Sequence, residues 1–257
     1  MSVEAGRTSG LESARPRVGV IIPALNEERS IGMVLRDIPR GIVDQVIVVD
    51  NGSTDNTARE AECWDATVTF EPKKGYGAAC QAGIQWLEPD IDIVVFLDAD
   101  YSDHPEEIEM LIRPVAQRRA DFVIGSRTLQ EESRKALSWQ QHWGNRLATK
   151  LIGWRFGYAF TDLGPFRAIR REALEALCMK DRGYGWTVEM QVKAARAGLR
   201  VQEVPVRYRA RIGQSKISGT LHGAACAGTK ILYTIAKHAL QYAPCRACMI
   251  SRPVAGD

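Results

Sequence analysis

The chain has 257 residues, 45% of them hydrophobic, which is enough apolar side chain to bury the core of one large domain. Its formal net charge of +3 is too small to indicate a nucleic-acid-binding protein. No stretch approaches the roughly 18 uninterrupted apolar residues of a membrane-spanning helix.

Residues 1–16 contain no apolar segment of the kind that signal peptides have, so we expect a disordered segment there and a cytoplasmic protein. The six cysteines have no spacing that indicates a disulfide framework. Cys245 and Cys248 lack a second cysteine pair or a nearby downstream histidine, so we expect reduced thiols and no zinc site.

Apolar segments of strand length alternate with segments that favour helices along the first half of the chain. The predicted strands lie near residues 17–23, 45–50, 66–70, 92–97 and 121–125. The predicted helices lie near residues 28–37, 54–63, 75–87 and 105–118. This alternation predicts an α/β fold with a mostly parallel sheet and helices on both faces.

The second half predicts further helices and a return to the sheet. The helices are expected near 138–155, 171–178 and 186–197. Residues 160–170 are expected to rejoin the sheet, and residues 199–209 alternate as a strand. An amphipathic helix over 217–241 ends this series.

The strand near 92–97 runs directly into two carboxylates, Asp98 and Asp100. Residues i and i+2 of a strand point the same way, and open α/β sheets bind their ligands at the carboxyl ends of the strands. Two carboxylates that leave room for water and phosphate suit Mg²⁺ or Mn²⁺. The pair therefore predicts a metal site that faces a diphosphate, with a solvated turn as the alternative.

Other strand ends also carry polar residues. Asp50 ends the second strand ahead of an Asn-Gly turn, and Arg127 follows the strand near 121–125. Residues 73–77 are basic and glycine-rich ahead of a helix, which favours close approach of a ligand to the backbone. Residues 207–216 carry four cations that could close over an anion, or form a solvated basic surface.

Together these segments resemble glycosyltransferase family 2. The resemblance rests on residues 20–27, 48–57, 74–79, 98–100, 125–127 and 211–216, and it covers roughly residues 17–220. Their order is similar to the polyprenyl-phosphate (dolichol-phosphate) mannosyl- and glucosyltransferase branch. The resemblance implies a GT-A-type nucleotide-diphospho-sugar transferase domain over 17–216, followed by the helix 217–241 and a flexible tail over 242–257.

The resemblance also implies which residues bind the donor. The residues expected to contact the nucleotide-sugar are Pro23, Ala24, Glu27, Asp50, Lys74, Gly75, Asp98, Ala99, Arg211 and Lys216. Asp98 and Asp100 would hold Mg²⁺ or Mn²⁺, which neutralises the leaving nucleoside diphosphate. Ser102 stands where this branch often has a metal-binding glutamine, so Asp103 or water would have to substitute.

Transfer with inversion to a hydroxyl group needs a general base, and Asp162 and Glu189 are the candidates. An ion pair with a nearby arginine is the alternative role for Glu189. Arg127 is expected to hold a phosphate or the sugar. A phosphate acceptor is already ionised and would need no base.

Two positions depart from the branch. Leu137 and Gln141 align roughly with an arginine and a serine that bind the acceptor phosphate. We predict a metal-dependent, inverting hexosyltransferase, with a polyprenyl phosphate slightly favoured as the acceptor over a soluble hydroxyl compound. A non-catalytic nucleotide-sugar-binding protein and a nucleotidyltransferase are further alternatives, although the latter would normally have a glycine-rich segment after the first strand.

Two features leave a membrane or ligand role open. The helix 217–241 is expected to pack on the catalytic domain, or else to lie on the inner face of a membrane as a peripheral contact. Four tryptophans are expected either to stack on a sugar or planar acceptor or to belong to the core: Trp139, Trp143, Trp154 and Trp186.

Overall fold

A computed structural model of the protein describes residues 15–213 and 221–240. The strands within them are β1 (Val18–Ala24), β2 (Gln45–Asp50), β3 (Thr67–Phe70), β4 (Ile93–Phe96), β5 (Phe122–Ser126), β6 (Arg167–Arg170) and β7 (Val201–Pro205). They form one sheet in the order β3-β2-β1-β4-β6-β5-β7.

The helices are α1 (Ile31–Asp37), α2 (Thr57–Glu62), α3 (Tyr76–Gln85), α4 (Ile108–Ala116), α5 (Glu131–Ala136), α6 (Trp139–Phe156), α7 (Arg171–Leu177), α8 (Trp186–Ala197) and α9 (Leu221–Leu240). A short 3₁₀ turn, Pro105–Glu107, precedes α4. No described helix has the length and apolar character needed to cross a bilayer.

The predicted α/β fold with a mostly parallel sheet is confirmed. β6 is the exception, because it runs antiparallel to both of its neighbours, β4 and β5. The predicted return to the sheet over 160–170 is limited to the four residues of β6, since the preceding residues form a loop. α5 was not predicted, and its six residues are too few for a clear helical period.

Some predicted features fall outside the described residues. These include residues 1–14, residues 217–220 of the predicted last helix, Lys216, the Cys245–Cys248 pair and the tail over 242–257. Arg15, at the end of the segment predicted to be disordered, pairs with Asp44 at 2.9 Å. The thiols of Cys63 and Cys80 form no disulfide with a described residue.

The sheet is covered on both faces, which explains why its central strands are apolar without alternation. One face packs mainly against α1 and α4, through Val34, Leu35 and Leu111. The other face packs against α3, α6 and α8. On that side Trp186, 1% exposed, meets the ring of Phe96 edge-on at 6.0 Å between centroids. Trp186 is therefore a core residue.

The strand directions bring the polar segments to one edge of the sheet. β1, β2 and β4 are mutually parallel, with Ala24 opposite Asp50 in the register. Because β6 runs against both β4 and β5, β5 has the same direction as β4. The loops after all four of these strands therefore leave the same edge, where the candidate site lies.

Close packing of α3 on this sheet depends on a glycine. A methyl group at Gly83 would lie 2.5 Å from Cγ2 of Ile21 and 3.1 Å from Cγ2 of Val49. Both contacts are with β-branched core side chains that have little freedom to move. The glycine sets the distance between the helix and the two strands, β1 and β2, whose following loops lie at the candidate site.

We expect Gly83→Ala to lower the free energy of unfolding by about 1–3 kcal/mol because it overpacks this contact. Gly144→Ala is the matched control, because Gly144 lies in the exposed middle of α6 with no atom near its added methyl group. That change is expected to raise the free energy of unfolding by about 0.5–1 kcal/mol. Urea unfolding of both variants tests the pair, and equal effects would contradict this account of the packing.

Candidate active site

The loops after β1 and β2 are tied to each other by side chains. Asn26, at φ 52°, accepts a hydrogen bond on Oδ1 from the Thr54 amide at 2.7 Å. The Glu27 amide donates to Oγ1 of Thr57 at 2.7 Å. These bonds hold Pro23, Ala24 and Glu27 beside the end of β2.

Asp50 ends β2 at the centre of this pair of loops. Its Oδ1 accepts a hydrogen bond from the Ser53 amide at 2.9 Å, which turns the chain sharply after the strand. The carboxylate is partly exposed at the carboxyl edge of the sheet. It is therefore in a position where it can accept hydrogen bonds from a polar ligand.

Asn51 is a residue that the sequence analysis missed. It is buried, its Nδ2 donates to the carbonyl groups of Glu71 and Lys73, and its Oδ1 accepts from the Gly75 amide at 2.7 Å. One side chain therefore fixes the whole basic, glycine-rich segment against β2. A buried asparagine directly after a strand was the available signal, but Asn-Gly was interpreted as a turn.

The glycines of that segment are required by the protein's own backbone. A side chain at Gly75, which has φ 144°, would overlap the Arg182 carbonyl oxygen, and one at Gly77 would overlap the Asp181 carbonyl oxygen. The Ala78 amide donates to the Arg182 carbonyl at 2.9 Å. Residues 181–183 thus cover the first amides of α3, while the Lys74 side chain is exposed. The predicted ligand contacts of Lys74 and Gly75 stay predictions.

Asp98 and Asp100 follow β4 as predicted. Asp100 is buried, accepts a hydrogen bond from the Ser102 amide at 3.0 Å, and lies 3.0 Å from Nη1 of Arg211. Oδ1 of Asp98 is buried and accepts no hydrogen bond from any described residue. Burial, and then the nearby charge of Asp100, raise the pKa of Asp98 to about 7.

This donor set fits a hard divalent cation. The unsatisfied oxygen of Asp98 and the repulsion between two carboxylates are both conditions that a cation relieves. Across residues 15–213 and 221–240, no three His, Cys, Asp or Glu side chains converge on one metal position. Mg²⁺ or Mn²⁺ held by Asp98 and Asp100 would therefore take its other ligands from water and from a bound phosphate.

Ser102, at the position where the branch often has glutamine, and its neighbour Asp103 are both buried. Neither oxygen of Asp103 accepts a hydrogen bond from a described residue. Burial and the charge of Asp98 raise the pKa of Asp103 well above its usual range. The substitution of Asp103 for the missing glutamine stays a prediction.

Arg127 and Asp162 form a buried, two-pronged ion pair. Nε and Nη2 of Arg127 each donate to one oxygen of Asp162 at 2.8 Å, and the Arg127 amide adds a third bond. Burial alone would lower the pKa of Arg127, but the charge and hydrogen bonds of Asp162 outweigh it and raise that pKa. Because both oxygens are occupied, this geometry favours a positioning role for Asp162, and its role as a general base stays a prediction.

Glu189 is also buried and engaged. Its carboxylate accepts hydrogen bonds from the amides of Lys180 and Asp181 and pairs with Nζ of Lys193 at 2.8 Å. Its ion pair is therefore with a lysine, where the sequence alternative was an arginine. These contacts hold the segment that covers the start of α3, and the role of Glu189 as a base stays a prediction.

The chain after β7 lies along the loop that carries Asp98 and Asp100. The Arg209 amide donates to the Ser102 carbonyl at 2.9 Å, and the Ile212 amide donates to the Asp100 carbonyl at 3.0 Å. The Arg209 guanidinium lies over the Tyr101 ring, 3.3 Å from its centroid. Of the predicted basic cluster, Arg211 thus faces the carboxylates, while Arg209 holds the backbone in place.

A cavity of about 320 Å³ opens beside this segment. It is lined by Ala136, Leu137, Ser138, Gln141, Tyr208, Arg209, Ala210 and Arg211. Ser138 and Gln141 form a capping box at the start of α6, since each side chain accepts a hydrogen bond from the other residue's amide. Of the two positions that depart from the branch, Gln141 therefore caps α6 and Leu137 lies directly before the cap, while the cations of this cavity, Arg209 and Arg211, come from the segment after β7.

Arg167 is a second residue that sequence reasoning missed. It is fully buried, and its guanidinium donates to the carbonyl groups of Pro165, Thr187 and Leu163. Burial lowers its pKa to about 10. The signal was a charged residue in a short strand, but its side-chain direction cannot be derived from the pattern. Arg167 places a positive charge beneath the carboxylates of the site.

We expect Asp162→Asn to lower the free energy of unfolding by about 3 kcal/mol or more, because it leaves the buried Arg127 charge uncompensated. Glu131→Gln is the matched control, because Glu131 pairs with Lys135 on the exposed surface of α5. Its effect is expected to be below about 0.5 kcal/mol. Urea unfolding measures both.

The double variant Arg127→Gln/Asp162→Asn tests whether the stability lost in Asp162→Asn comes from the broken ion pair or from disturbed packing. It removes both charges, so it should recover part of the stability that Asp162→Asn loses. A double variant whose loss of stability relative to the wild type equals the sum of the losses of Arg127→Gln and Asp162→Asn would contradict the ion-pair interpretation.

The chain is similar to known proteins in sequence and in fold. The sequence profile described as Glycosyl transferase family 2 matches residues 19–178. An uncharacterized glycosyltransferase of Mycobacterium tuberculosis is 40% identical over 215 residues, which are 82% of this chain and 94% of the relative. The undecaprenyl-phosphate mannosyltransferase of Micrococcus luteus is 35% identical over 229 residues, 81% of this chain and 90% of the relative.

A solved structure also resembles the protein. Glucosyl-3-phosphoglycerate synthase from Mycobacterium tuberculosis, crystallised with Mn²⁺, uridine diphosphate and phosphoglyceric acid, superposes with a TM-score of 0.71. The match covers 87% of this chain and 78% of that one, at 25% identity.

Proposed function

This chain belongs to glycosyl transferase family 2, and we propose that it moves a hexose, with inversion, from a nucleotide-diphospho-sugar to a polyprenyl phosphate. The observation that carries the proposal is the pair of carboxylates after β4, one of them with a buried, unsatisfied oxygen, beside the Arg211 guanidinium. Two acids and a cation at the carboxyl edge of a sheet are the groups that a metal-bound diphosphate requires.

The donor would lie across the carboxyl ends of β1, β2 and β4. Pro23, Ala24, Glu27 and Asp50 form the side of the site assigned to the nucleotide, and Lys74 adds an exposed positive charge. Asp98 and Asp100, with Ala99 between them, would hold Mg²⁺ or Mn²⁺. The metal, when bound, stabilises the negative charge that develops on the leaving nucleoside diphosphate.

Arg211 supports this placement of the diphosphate. Its guanidinium already lies beside Asp100 on the face where the phosphate would bind, and its pKa is raised by Asp100 and Tyr208 despite burial, so it stays charged. Lys216, five residues further along, is assigned to the same anion and lies outside the described residues.

The acceptor assignment follows from the two candidate bases. Asp162 is held by Arg127, and Glu189 is held by Lys193 and two backbone amides, so neither carboxylate is available to take a proton from a hydroxyl group without losing its contacts. A phosphate acceptor is already ionised and needs no base. This argues for a phosphate over a neutral hydroxyl compound. The Micrococcus luteus relative, whose name specifies undecaprenyl phosphate, supports the lipid form.

A small soluble acceptor is the second candidate. The cavity of about 320 Å³ carries Leu137 and Gln141 in place of the expected arginine and serine. The solved relative holds phosphoglyceric acid, a small phosphorylated compound. A non-catalytic nucleotide-sugar-binding protein is the remaining alternative, and the retained Asp98, Asp100 and Arg211 disfavour it.

We further propose a cytoplasmic protein that contacts the inner face of the membrane peripherally, with the last helix taking part. The acceptor's prenyl chain would lie in the bilayer. α9 carries the exposed Lys237 and has no acidic residue along its 20 positions, so it can approach an anionic surface.

Donor binding is tested with a thermal-shift panel of UDP-, GDP- and dTDP-sugars, each with and without Mn²⁺. We expect one nucleotide to stabilise the protein in a metal-dependent way. Asp100→Asn should weaken binding of that metal–nucleotide pair by about tenfold or more, since it removes a ligand. Glu109→Gln, which changes an exposed acid on α4, should bind like the wild type. Absence of any nucleotide-dependent shift would contradict the transferase proposal.

Acceptor identity is tested by transfer of the labelled sugar from that donor. We expect transfer to undecaprenyl phosphate in detergent, and none to undecaprenol, which lacks the phosphate. Transfer to phosphoglyceric acid but not to the lipid phosphate would establish the soluble alternative. Binding of the donor without transfer to either compound would favour the non-catalytic alternative.

A further inference from the structure

α6 exposes three tryptophans to the outside of the protein. Trp139, Trp143 and Trp154 are 68%, 63% and 84% exposed, and Leu147 between them is 51% exposed. At 3.6 residues per turn, these four residues lie on one side of the helix, within an arc of about 80°. Isolated exposed apolar residues are ordinary, but a continuous aromatic stripe on one helix marks an interaction surface.

Cations lie on the same side of α6. Arg146 and Lys150 are exposed and fall within or directly beside the tryptophan arc. The 18 residues of α6 include no aspartate or glutamate. The stripe is therefore aromatic and basic together, which differs from the mixed charge of the chain as a whole.

α9 is a neighbour of α6 and exposes apolar and basic side chains of its own. It packs alongside α6, where Nη2 of Arg155 donates to the Ala239 carbonyl at 2.8 Å. Its own outer side exposes Leu232, Tyr233 and Lys237. We call the exposed sides of the two helices the tryptophan face, defined by Trp139, Trp143, Arg146, Leu147, Lys150, Trp154, Leu232, Tyr233 and Lys237.

The tryptophan face leads to the candidate site. Trp139 is the first residue of α6, next to Ser138 and Gln141, which line the cavity that Arg211 also lines. From Trp139 to Trp154 the stripe runs about 23 Å along the helix. A flat surface that lay against this face would therefore reach the mouth of that cavity at the Trp139 end of α6.

We propose that the tryptophan face docks on the surface of an anionic phospholipid bilayer. Tryptophan and tyrosine favour the boundary between headgroups and acyl chains, where the ring is buried and its polar atom stays hydrated. Lysine and arginine are attracted to anionic headgroups. The absence of acidic residues from both helices removes the repulsion that such a surface would otherwise meet.

The docking orients the protein on the membrane. Its biological use, access to a lipid acceptor, rests on the proposed function. A prenyl phosphate in the bilayer would present its headgroup at the membrane surface, at the height of the cavity beside Trp139. In this proposal α6 makes the main contact with the membrane, whereas the sequence analysis considered only the last helix for this role. The docking also gives Trp139, Trp143 and Trp154 a role other than stacking on a sugar, because all three are exposed on one side of α6.

The test is co-sedimentation of the full chain with vesicles of phosphatidylglycerol and phosphatidylcholine. We expect Trp143→Gln/Trp154→Gln to weaken binding by about tenfold or more, because two interfacial aromatic contacts are lost. Arg146→Glu/Lys150→Glu should weaken it by a similar factor of about ten, and salt should weaken wild-type binding. Vesicles of phosphatidylcholine alone should bind the wild type less.

Matched controls lie elsewhere on the surface. Trp86→Gln changes a tryptophan that is 54% exposed at the end of α3, and Arg113→Glu changes an exposed cation on α4. Both should bind vesicles like the wild type. Equal binding by wild type and Trp143→Gln/Trp154→Gln would overturn the proposal. A wild-type dimer that this variant loses in sedimentation velocity would also overturn it, since the face would then join two copies of the chain.

The outcome is separable from that of the proposed function. The tryptophan-face variants should keep the metal-dependent thermal shift with the nucleotide and should keep transfer to a short-chain prenyl phosphate that dissolves in water. Loss of vesicle binding with both of these retained supports the docking surface. If the protein binds vesicles but transfers no sugar, the docking surface is supported and the proposed function is contradicted.

Discussion

The arrangement of this protein depends on how negative charge is tolerated at one edge of its sheet. The parallel strands β2 and β4 deliver Asp50, Asp98 and Asp100 to one edge, and the loop before the antiparallel β6 brings Asp162 there. Like charges gathered in a partly buried region repel each other. Asp100 and Asp162 are therefore each matched by a cation, whereas the buried Asp103 accepts no hydrogen bond from a described residue. Arg127 binds Asp162, Arg211 faces Asp100, and Arg167 lies beneath.

The match is incomplete at Asp98. One oxygen is buried without a hydrogen bond, and the pKa is raised to about 7. A group left in this condition costs stability unless a ligand completes it. Asp98 therefore lacks a positive partner that a divalent cation would supply.

Much of this could be predicted from the sequence because it depends on local patterns. Apolar runs gave the strands, and the abrupt change from apolar to acidic residues located Asp98 and Asp100 at a strand end. What could not be predicted depends on contacts between distant segments. The pairing of Arg127 with Asp162 joins residues 35 positions apart, and the antiparallel insertion of β6 has no local signature.

The same limit explains the misread side chains. Asn51 and Arg167 have short-range patterns that fit a turn and a strand, but their roles come from backbone groups of other loops. The tryptophans divide for a similar reason. Trp186 and Trp154 both occur in helical segments, and only the packing of α8 and α6 on the sheet decides that one is buried and the other exposed.

The segment between α7 and α8 carries a consequence for the tolerance of the chain to changes in length. Connections at the surface of a domain usually accept insertions and deletions. Here the carbonyl groups of Arg182 and Gly183 accept hydrogen bonds from the start of α3, Asp181 pairs with Lys230 of α9, and Glu189 accepts from two amides. One stretch of seven residues, 179–185, therefore contacts three helices, α3, α8 and α9. The positions of these helices fix the length of the stretch. An added residue there would displace both the start of α3, with the basic loop before it, and α9. The glycine-rich sequence of the segment is nevertheless that of an ordinary, permissive loop.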